Sequence, residues 1–577
     1  LKKVSPDVKI WAGGPEVSYA ANKFLMENPT FDLIMQGEGE EVFSELIRLT
    51  VEEKCRIKDV YKQSESKKVL SGIVEKRYSI ERKQAVKEEK DIEDKHFAGE
   101  DNVYPTNYID MSKLQKLQGI AVWDFSGEAA LGNAESNIGN KTKIINTGFA
   151  TLMNMDTIPF VYEDFHLFEH KILYYETSRG CPFCCSYCLS SVDKTVRFRS
   201  LPIVKKELDA FLEAKVPQVK FVDRTFNCNR QRAIDIWSYL VEHDNGITNF
   251  HFEISSDLLG EEELELFAKM RPGLIQLEIG VQSTNGETVD AIHRHMDLDK
   301  LFHYVDSVHE LGNIHQHLDL IAGLPYENYE RFGCSFDDLY AHEPDQLQLG
   351  FLKVLKGTMM EEEVKKYSIL YRNQPPYEVL GTKWLSYDEI ILLKGVEELV
   401  ELYYNSGQYT LTLKYAVPFF ESPFRFYEMF SAWYRGKGYH KLNHNRLEKY
   451  NILREFLREH IDENEWDTLD EIMLYDMYLR ENVKGRPAWA KDTAQYKKEW
   501  KALYREQGEK LFPEDVQAGI YDSKRAANQS HIEVFEINIK KFEQSGQVEK
   551  KQVFCLFDYS RRNPLNRAAR TVEWEIL

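Results

Sequence analysis

The chain has 577 residues, 43% hydrophobic and 29% charged, which is the composition of a globular protein with material for several cores. Its formal charge of -20 argues against a protein that coats nucleic acid or anionic membrane. No apolar run is long enough to span a bilayer, and the opening LKKVSPDVKIWAGG is too polar for a signal peptide. Cys55, Cys228, Cys334 and Cys555 are scattered singly, while four more cysteines crowd one loop. That usage fits a reducing, cytoplasmic compartment with a metal site better than a disulfide framework.

Residues Val8–Ala12 read as a buried strand running into Gly13 and Gly14, then a helix. Asp32–Met35 reads as a second strand, followed by a Gly37–Gly39 turn and an amphipathic helix with acidic residues in its first turn. This is the closing half of a doubly wound domain, assigned to residues 1–75. Two strands are too few for such a sheet, so the reading expects the chain to be a piece of a longer protein. Residues 76–165 change texture. A charge-dense run from Glu81 and a small, polar run from Ser126 read as a linker or insertion, with short apolar pieces such as GIAVWDF packing on a neighbour.

Between residues 166 and 374 a regular alternation sets in. ILYYET, QVKFVD, NFHFEI, LIQLEIGV, IHQHLDLI and QLQLGFLK are six strand-like runs separated by segments of helical period. Such repeats give parallel strands with right-handed crossovers, a partial or full βα barrel with its chemistry at the carboxyl ends of the strands. Residues 375–577 read as mainly helical, with a small β element near HIEVFEINIKKF and KKQVFCLFDYS.

The crowded loop is YETSRGCPFCCSYCLSS, just after the first barrel strand. A structural zinc site commonly uses two CxxC pairs, whereas here the four thiols lie in one loop with no second pair elsewhere. A ferredoxin run has a different spacing. Cys181, Cys185 and Cys188 form CxxxCxxC with Tyr187 before the last cysteine; three thiolates can hold a four-iron cluster and leave one iron open. Cys184 lies outside the spacing and reads as a packed residue.

This loop resembles the signature of the radical SAM superfamily. The likeness extends along the barrel to the subgroup of oxygen-independent coproporphyrinogen oxidases, methylthiotransferases and cobalamin-dependent enzymes. Glu253 in FHFEIS, Gln282 and Ser283 in GVQS, Arg294 in IHRH and Asp319 in DLIAGLP match that subgroup's pattern. The resemblance implies a 4Fe–4S cluster on Cys181, Cys185 and Cys188, with S-adenosylmethionine (SAM) bound by Tyr187, Glu253, Gln282, Ser283, Arg294 and Asp319. The family's Gly-Gly-Glu run after the second strand is replaced by FVDRTFN, so Asp223 or Asn227 takes its place, Asp223 having an ion pair with Arg224 as its rival role. His251, His315 and His317 read as satisfied barrel histidines rather than a second metal site, and Tyr174, Tyr175 and Lys353 as candidates to line a substrate pocket.

The first segment resembles the end of a Rossmann-like cobalamin-binding domain, with Gly13, Gly14, Gly37 and Gly39 positioned to let the backbone approach that cofactor. The family's DxHxxG motif, which presents histidine to cobalt, lies earlier in that domain than the segment matched here, which leaves cobalamin binding open. The resemblance implies an anaerobic enzyme served by an electron donor such as flavodoxin or ferredoxin. Methyl transfer or ring formation on a small molecule is the reaction it favours. The alternatives are methylthiotransferase-like modification of RNA and a non-catalytic metal-binding module. No catalytic side chain is assigned from sequence.

Overall fold

The structure is a computed structural model and describes residues 1–4, 8–63, 109, 111–124, 143–192, 194–483, 485–506 and 508–575. The charge-dense run from Glu81 and most of the small, polar run from Ser126 lie outside the described residues. Two compact units are present, residues 1–157 and residues 158–577.

In the first unit, β1 (Trp11–Ala12) lies parallel to β2 (Leu33–Met35), with the short helices Pro15–Ser18 and Ala21–Glu27 between them. The helix Gly39–Gln63 follows β2 and carries Glu40 and Glu41 in its first turn, where carboxylates offset the helix dipole. Two further strands complete the sheet. β3 (Ile120–Trp123) runs antiparallel to β2, and β4 (Ile144–Asn146) antiparallel to β3. The run GIAVWDF thus supplies a strand of its own. The physical reason is that all four residues of β3 are apolar and buried. Ala121 and Trp123 pack with Leu25 and Ile34 on one face, and Ile120 and Val122 with Leu33 and Leu46 on the other.

The second unit is built on β5 (Leu173–Tyr175), β8 (Gln218–Phe221), β9 (Asn249–Ile254), β10 (Ile275–Gln282), β11 (His315–Ala322) and β12 (Gln346–Phe351). They form one parallel sheet in the order β12-β11-β10-β9-β8-β5. The helices Leu201–Glu213, Arg230–Glu242, Glu261–Phe267, Leu298–Leu311 and Tyr329–Tyr340 return the chain from each strand to the next. This is the six-stranded partial barrel that the alternation predicts. A minor antiparallel pair, β6 (Ser178–Arg179) and β7 (Arg197–Phe198), lies between β5 and β8.

Period-two alternation gives each strand two characters. Val219, Phe221, Phe250, Phe252, Leu277, Ile279, Leu318 and Leu320 are buried in the core shared with the helices. The intervening positions are polar: Lys220, His251, Glu253, Gln276, Glu278, His315, His317 and Asp319. One face of the sheet therefore makes stability, and the other is stocked for chemistry.

After a short hairpin, β13 (Leu370–Tyr371) with β14 (Val379–Gly381), the chain is helical through Tyr387–Leu399, Pro423–Gly436, Arg446–His460 and Trp466–Arg480. It ends in a three-stranded antiparallel sheet of β15 (Ser530–Ile537), β16 (Lys550–Arg562) and β17 (Ala569–Glu575), larger than the small β element expected. The barrel and this helical region share one continuous apolar core.

Candidate active site

The cysteine loop leaves β5 and is pinned at both ends. At its start Asp223 accepts hydrogen bonds from Thr177 N at 2.7 Å and Ser178 N at 3.0 Å, and from the Thr177 hydroxyl. Arg199 N donates to Thr177 O at 2.9 Å, and the buried Arg199 side chain pairs with Glu207. Gly180, directly before Cys181, has φ +93°, and a Cβ there would lie 1.9 Å from Thr195 O, so only glycine fits. Further on, Ser186 N donates to Ile292 O at 2.9 Å, and Ser191 Oγ reaches the carbonyls of Cys185 at 2.9 Å and Cys188 at 2.6 Å.

The thiols of Cys181, Cys184, Cys185 and Cys188 are all free. Cys181 Sγ is 3.6 Å from Thr225 Oγ1, and Cys185 Sγ is 3.8 Å from Arg294 Nη1. Burial pushes the Cys185 thiol up, Arg294 opposes this, and the neighbouring Cys188 and Cys181 add to it. The loop thus carries three unbridged thiols, Cys185 beside a guanidinium, a donor set that fits an iron–sulfur cluster.

Around it stand several of the sequence-predicted residues. Tyr187 packs on the core, and burial pushes its phenol up while Arg294 opposes. Arg294 Nη2 donates to Gly280 O, while its buried Nε has no hydrogen-bond partner. A bulge between Gly280 and Gln282 turns Gln282 to φ +74° and lays its amide over Gly280, where a Cβ would stand 2.2 Å from Nε2. Asp319, level with Gly280 in the ladder, has a buried Oδ1 without a partner. Burial pushes Asp319 up to about 8, with Glu278 and Glu253 adding. Burial likewise raises Glu253 to about 7, against the pull of Arg224 3.7 Å away. Orphaned buried polar atoms on Asp319 and Arg294 fit a polar, partly cationic ligand such as SAM.

Two predicted ligands are placed otherwise. Asp223 neither faces an open site nor pairs with Arg224: it is 1% exposed and anchors the loop, because the turn after β5 brings Thr177 and Ser178 onto its oxygens. Ser283 is fully buried, donating to Glu327 Oε1 at 2.6 Å and accepting from Asn285 N at 3.0 Å, which makes it a turn residue. Asn227 is likewise engaged, with Ser255 O at 2.8 Å and Ser255 N at 3.0 Å.

Sequence reasoning passed over Lys220, Glu278 and Thr225. Lys220 Nζ is 2.8 Å from Glu278 Oε2. Glu278 is held down to about 2 by His251 beside it, with Lys220 adding, against burial. Burial, with His315 and His251, holds His317 down to about 3. The barrel histidines are not all satisfied as expected, since His251 Nε2 and His315 Nδ1 are buried without hydrogen-bond partners. The signal was the alternation itself: polar residues at every second position of buried strands need a reason.

In the first unit the four glycines divide. Gly14, at φ +92°, and Gly39 have nothing near the place of a Cβ. Gly13 is approached by Met35 at 3.2 Å and Gly37 by Ala150 N at 3.3 Å, so these two serve the unit's own packing. Of the four, only Gly14 and Gly39 leave open space beside the backbone.

Two family models match the chain: the radical SAM superfamily over residues 175–339, and a protein of unknown function, DUF4080, over residues 365–557. The uncharacterized methyltransferase PH0819 of Pyrococcus horikoshii is 21% identical over 370 residues, 63% of this chain and 64% of that protein. The chain thus spans less than two thirds of that relative's length. Oxygen-independent coproporphyrinogen III oxidase of Salmonella typhimurium is 31% identical over 107 residues, 18% of this chain and 23% of that one. Among solved structures, the radical SAM methyltransferase TsrM of Kitasatospora setae, with cobalamin and cluster bound, overlays at TM-score 0.42 and 13% identity. The overlay covers 66% of this chain and 62% of that one. The cobalamin-dependent radical enzyme OxsB overlays at TM-score 0.42 and 16% identity, covering 90% and 69%. Both overlays are loose. Among the described residues no helix is long and apolar enough to cross a membrane.

Proposed function

Because residues 175–339 are a radical SAM domain, we propose that the chain is an enzyme that cleaves SAM at a 4Fe–4S cluster held by Cys181, Cys185 and Cys188. The observation that carries this reading is the fixed loop of free thiols opposite the unpartnered Asp319 Oδ1 and Arg294 Nε. When bound, the cluster supplies the electron that splits SAM into methionine and a 5′-deoxyadenosyl radical, which takes a hydrogen atom from substrate.

The chain's own residues have separable tasks. Arg294, beside Cys185, stabilises thiolate charge and aims its fork at a carboxylate. Asp319 and Glu253 offer oxygens to an ammonium or to ribose hydroxyls, and a cationic ligand would favour their ionised forms. Gln282 contributes an amide at the bulge, and Tyr187 closes the apolar side. Asp223, Arg199 and Gly180 act one step removed by fixing the loop.

The name of the curated relative favours methyl transfer as the reaction, and the first unit is the candidate carrier of cobalamin. Ring formation on a small molecule is the runner-up. We place the enzyme in the cytoplasm of an anaerobic metabolism, reduced by a flavodoxin or ferredoxin. The test is anaerobic reconstitution with iron and sulfide, reduction, addition of SAM and mass spectrometry of 5′-deoxyadenosine. Formation that depends on Cys181, Cys185 and Cys188 supports the reading. A chain that binds zinc and no iron returns it to a metal-binding module.

A further inference from the structure

Beneath the candidate SAM site, three neighbouring parallel strands each contribute one metal-binding side chain to the polar face of the barrel. His251 stands on β9, Glu278 on β10 and His317 on β11. The ladder brings them level, Glu278 pairing with His317 on one side and lying one inward step from His251, which pairs with Gln276. One ligand atom from each lies within 4.8 Å of the others. They sit one layer below Glu253 and Asp319, on strands whose hydrogen bonding fixes their spacing.

The existing contacts leave this group unfinished. His251 Nε2 approaches Glu278 Oε2 to 2.9 Å, yet off the direction of a hydrogen bond, and that buried nitrogen has no other partner. The His251 side chain is only 7% exposed, so water does not readily complete it. His317 Nε2 lies 2.9 Å from Gln276 Nε2 and accepts from that amide, so a cation bound at this nitrogen would displace Gln276.

We infer that His251, Glu278 and His317 form a binding site for one divalent first-row transition cation inside the barrel, separate from the cysteine loop. Two imidazoles and a carboxylate suit Zn2+, Co2+ or Fe2+ and disfavour Mg2+ and Ca2+, which take oxygen ligands. Three protein ligands leave a coordination position for water or for an oxygen or nitrogen of a substrate in the barrel. Lys220 works against the site. Its ammonium holds Glu278 Oε2 at 2.8 Å and repels an incoming cation. This gives the inference a signature: removing the ammonium strengthens cation binding, whereas a closed Lys220–Glu278–His251 ion network binds no cation with or without it.

The test uses the full chain with Cys181→Ser, Cys185→Ser and Cys188→Ser, so that cobalt cannot occupy the cluster thiols. Titration with Co2+ is expected to saturate at one ion per chain, with a visible spectrum of nitrogen and oxygen ligands and no thiolate charge transfer. His317→Ala or Glu278→Gln is expected to weaken binding by more than about a hundredfold, and Lys220→Met to tighten it roughly tenfold. Circular dichroism checks the fold of each variant. Lys220→Met replaces no ligand, so its result is readable even if a ligand variant misfolds. Calorimetric titration of the reconstituted, unsubstituted chain with Zn2+ repeats the measurement with the cysteines occupied. Absence of saturable binding in both forms overturns the inference, as does binding indifferent to His317, Glu278 and Lys220. Neither result bears on the cluster, which is read separately as iron and sulfide.

Discussion

In the helical region, Asp476 is completely buried and both its oxygens are engaged. Oδ2 accepts from Thr412 N and Oγ1 at 2.8 Å, and Oδ1 from Leu411 N at 3.3 Å. Nearby, Glu471 takes Lys491 Nζ and Glu536 N, each at 2.7 Å. In the barrel, Asp319 Oδ1 and Arg294 Nε are buried with no partner, and Glu253 has only a long contact to Arg224. Burial raises both Asp476 and Asp319, to about 6 and about 8, so the shift alone does not separate them. What separates them is completion. A carboxylate finished by its own chain holds the scaffold, and one left open awaits a ligand.

The contrast can be broken most sharply at the thiols. Cys185→Ala is expected to abolish both cluster iron and 5′-deoxyadenosine formation while the melting temperature of the cluster-free chain barely moves; retained SAM cleavage would refute the cluster assignment. On the scaffold side, Asp476→Ala strands three donors and is expected to cost about 2–4 kcal/mol in denaturant unfolding. A cost near zero would show that the engaged carboxylate is not structural.

Arg294→Lys keeps the charge and loses the fork, so SAM affinity of the reconstituted enzyme is expected to fall by roughly tenfold to a hundredfold. Glu327 probes the same contrast through pH. Burial raises it from 4.5 to about 7, against Ser283 and Ser335, so the folded chain keeps a proton that the unfolded chain has released. Its contribution therefore falls as pH rises from about 4.5 through about 7, with a limiting slope of about 1.4 kcal/mol per pH unit. Glu327→Gln is expected to flatten that part of the stability curve; an unchanged slope would discard the assignment. The smallest effect belongs to Asp319→Asn. It replaces a buried carboxyl, whose Oδ1 has no partner, with a neutral amide of the same shape, and is expected to leave cofactor-free stability unchanged or raise it by about 1 kcal/mol. A loss as large as that of Asp476→Ala would dissolve the contrast.

How much of this was legible in the sequence differs between barrel and turns. Alternation in runs such as NFHFEI and LIQLEIGV announced parallel strands buried on one face, and the CxxxCxxC spacing announced the loop. Asp223 and Ser283 misled because a carboxylate or hydroxyl at a strand end says nothing of which donors the chain will fold onto it. Those of Asp223 come from Thr177 and Ser178, some 45 residues away. The strand Ile120–Trp123 was obscured by its brevity within a polar stretch, since four residues carry too little period to declare a sheet. Glu278 and Lys220 were in plain view as inward positions, but their meaning depends on the neighbouring strands' register.

Gly333 sits in the helix Tyr329–Tyr340, and a Cβ there would come within 2.6 Å of the ring of Phe424. Close by, Phe424 N donates to Asp337 at 2.7 Å and Tyr329 to Glu428 at 2.7 Å. The helix Pro423–Gly436, inside the segment of unknown function, is thereby seated on the last barrel helix. The two family segments are consequently not exchangeable cassettes. Severing the chain between them would expose the aromatic faces of both, and neither fragment would be expected to survive alone as a soluble, folded body. The region of unknown function is thus a wall of the barrel's own house, expected to melt together with it.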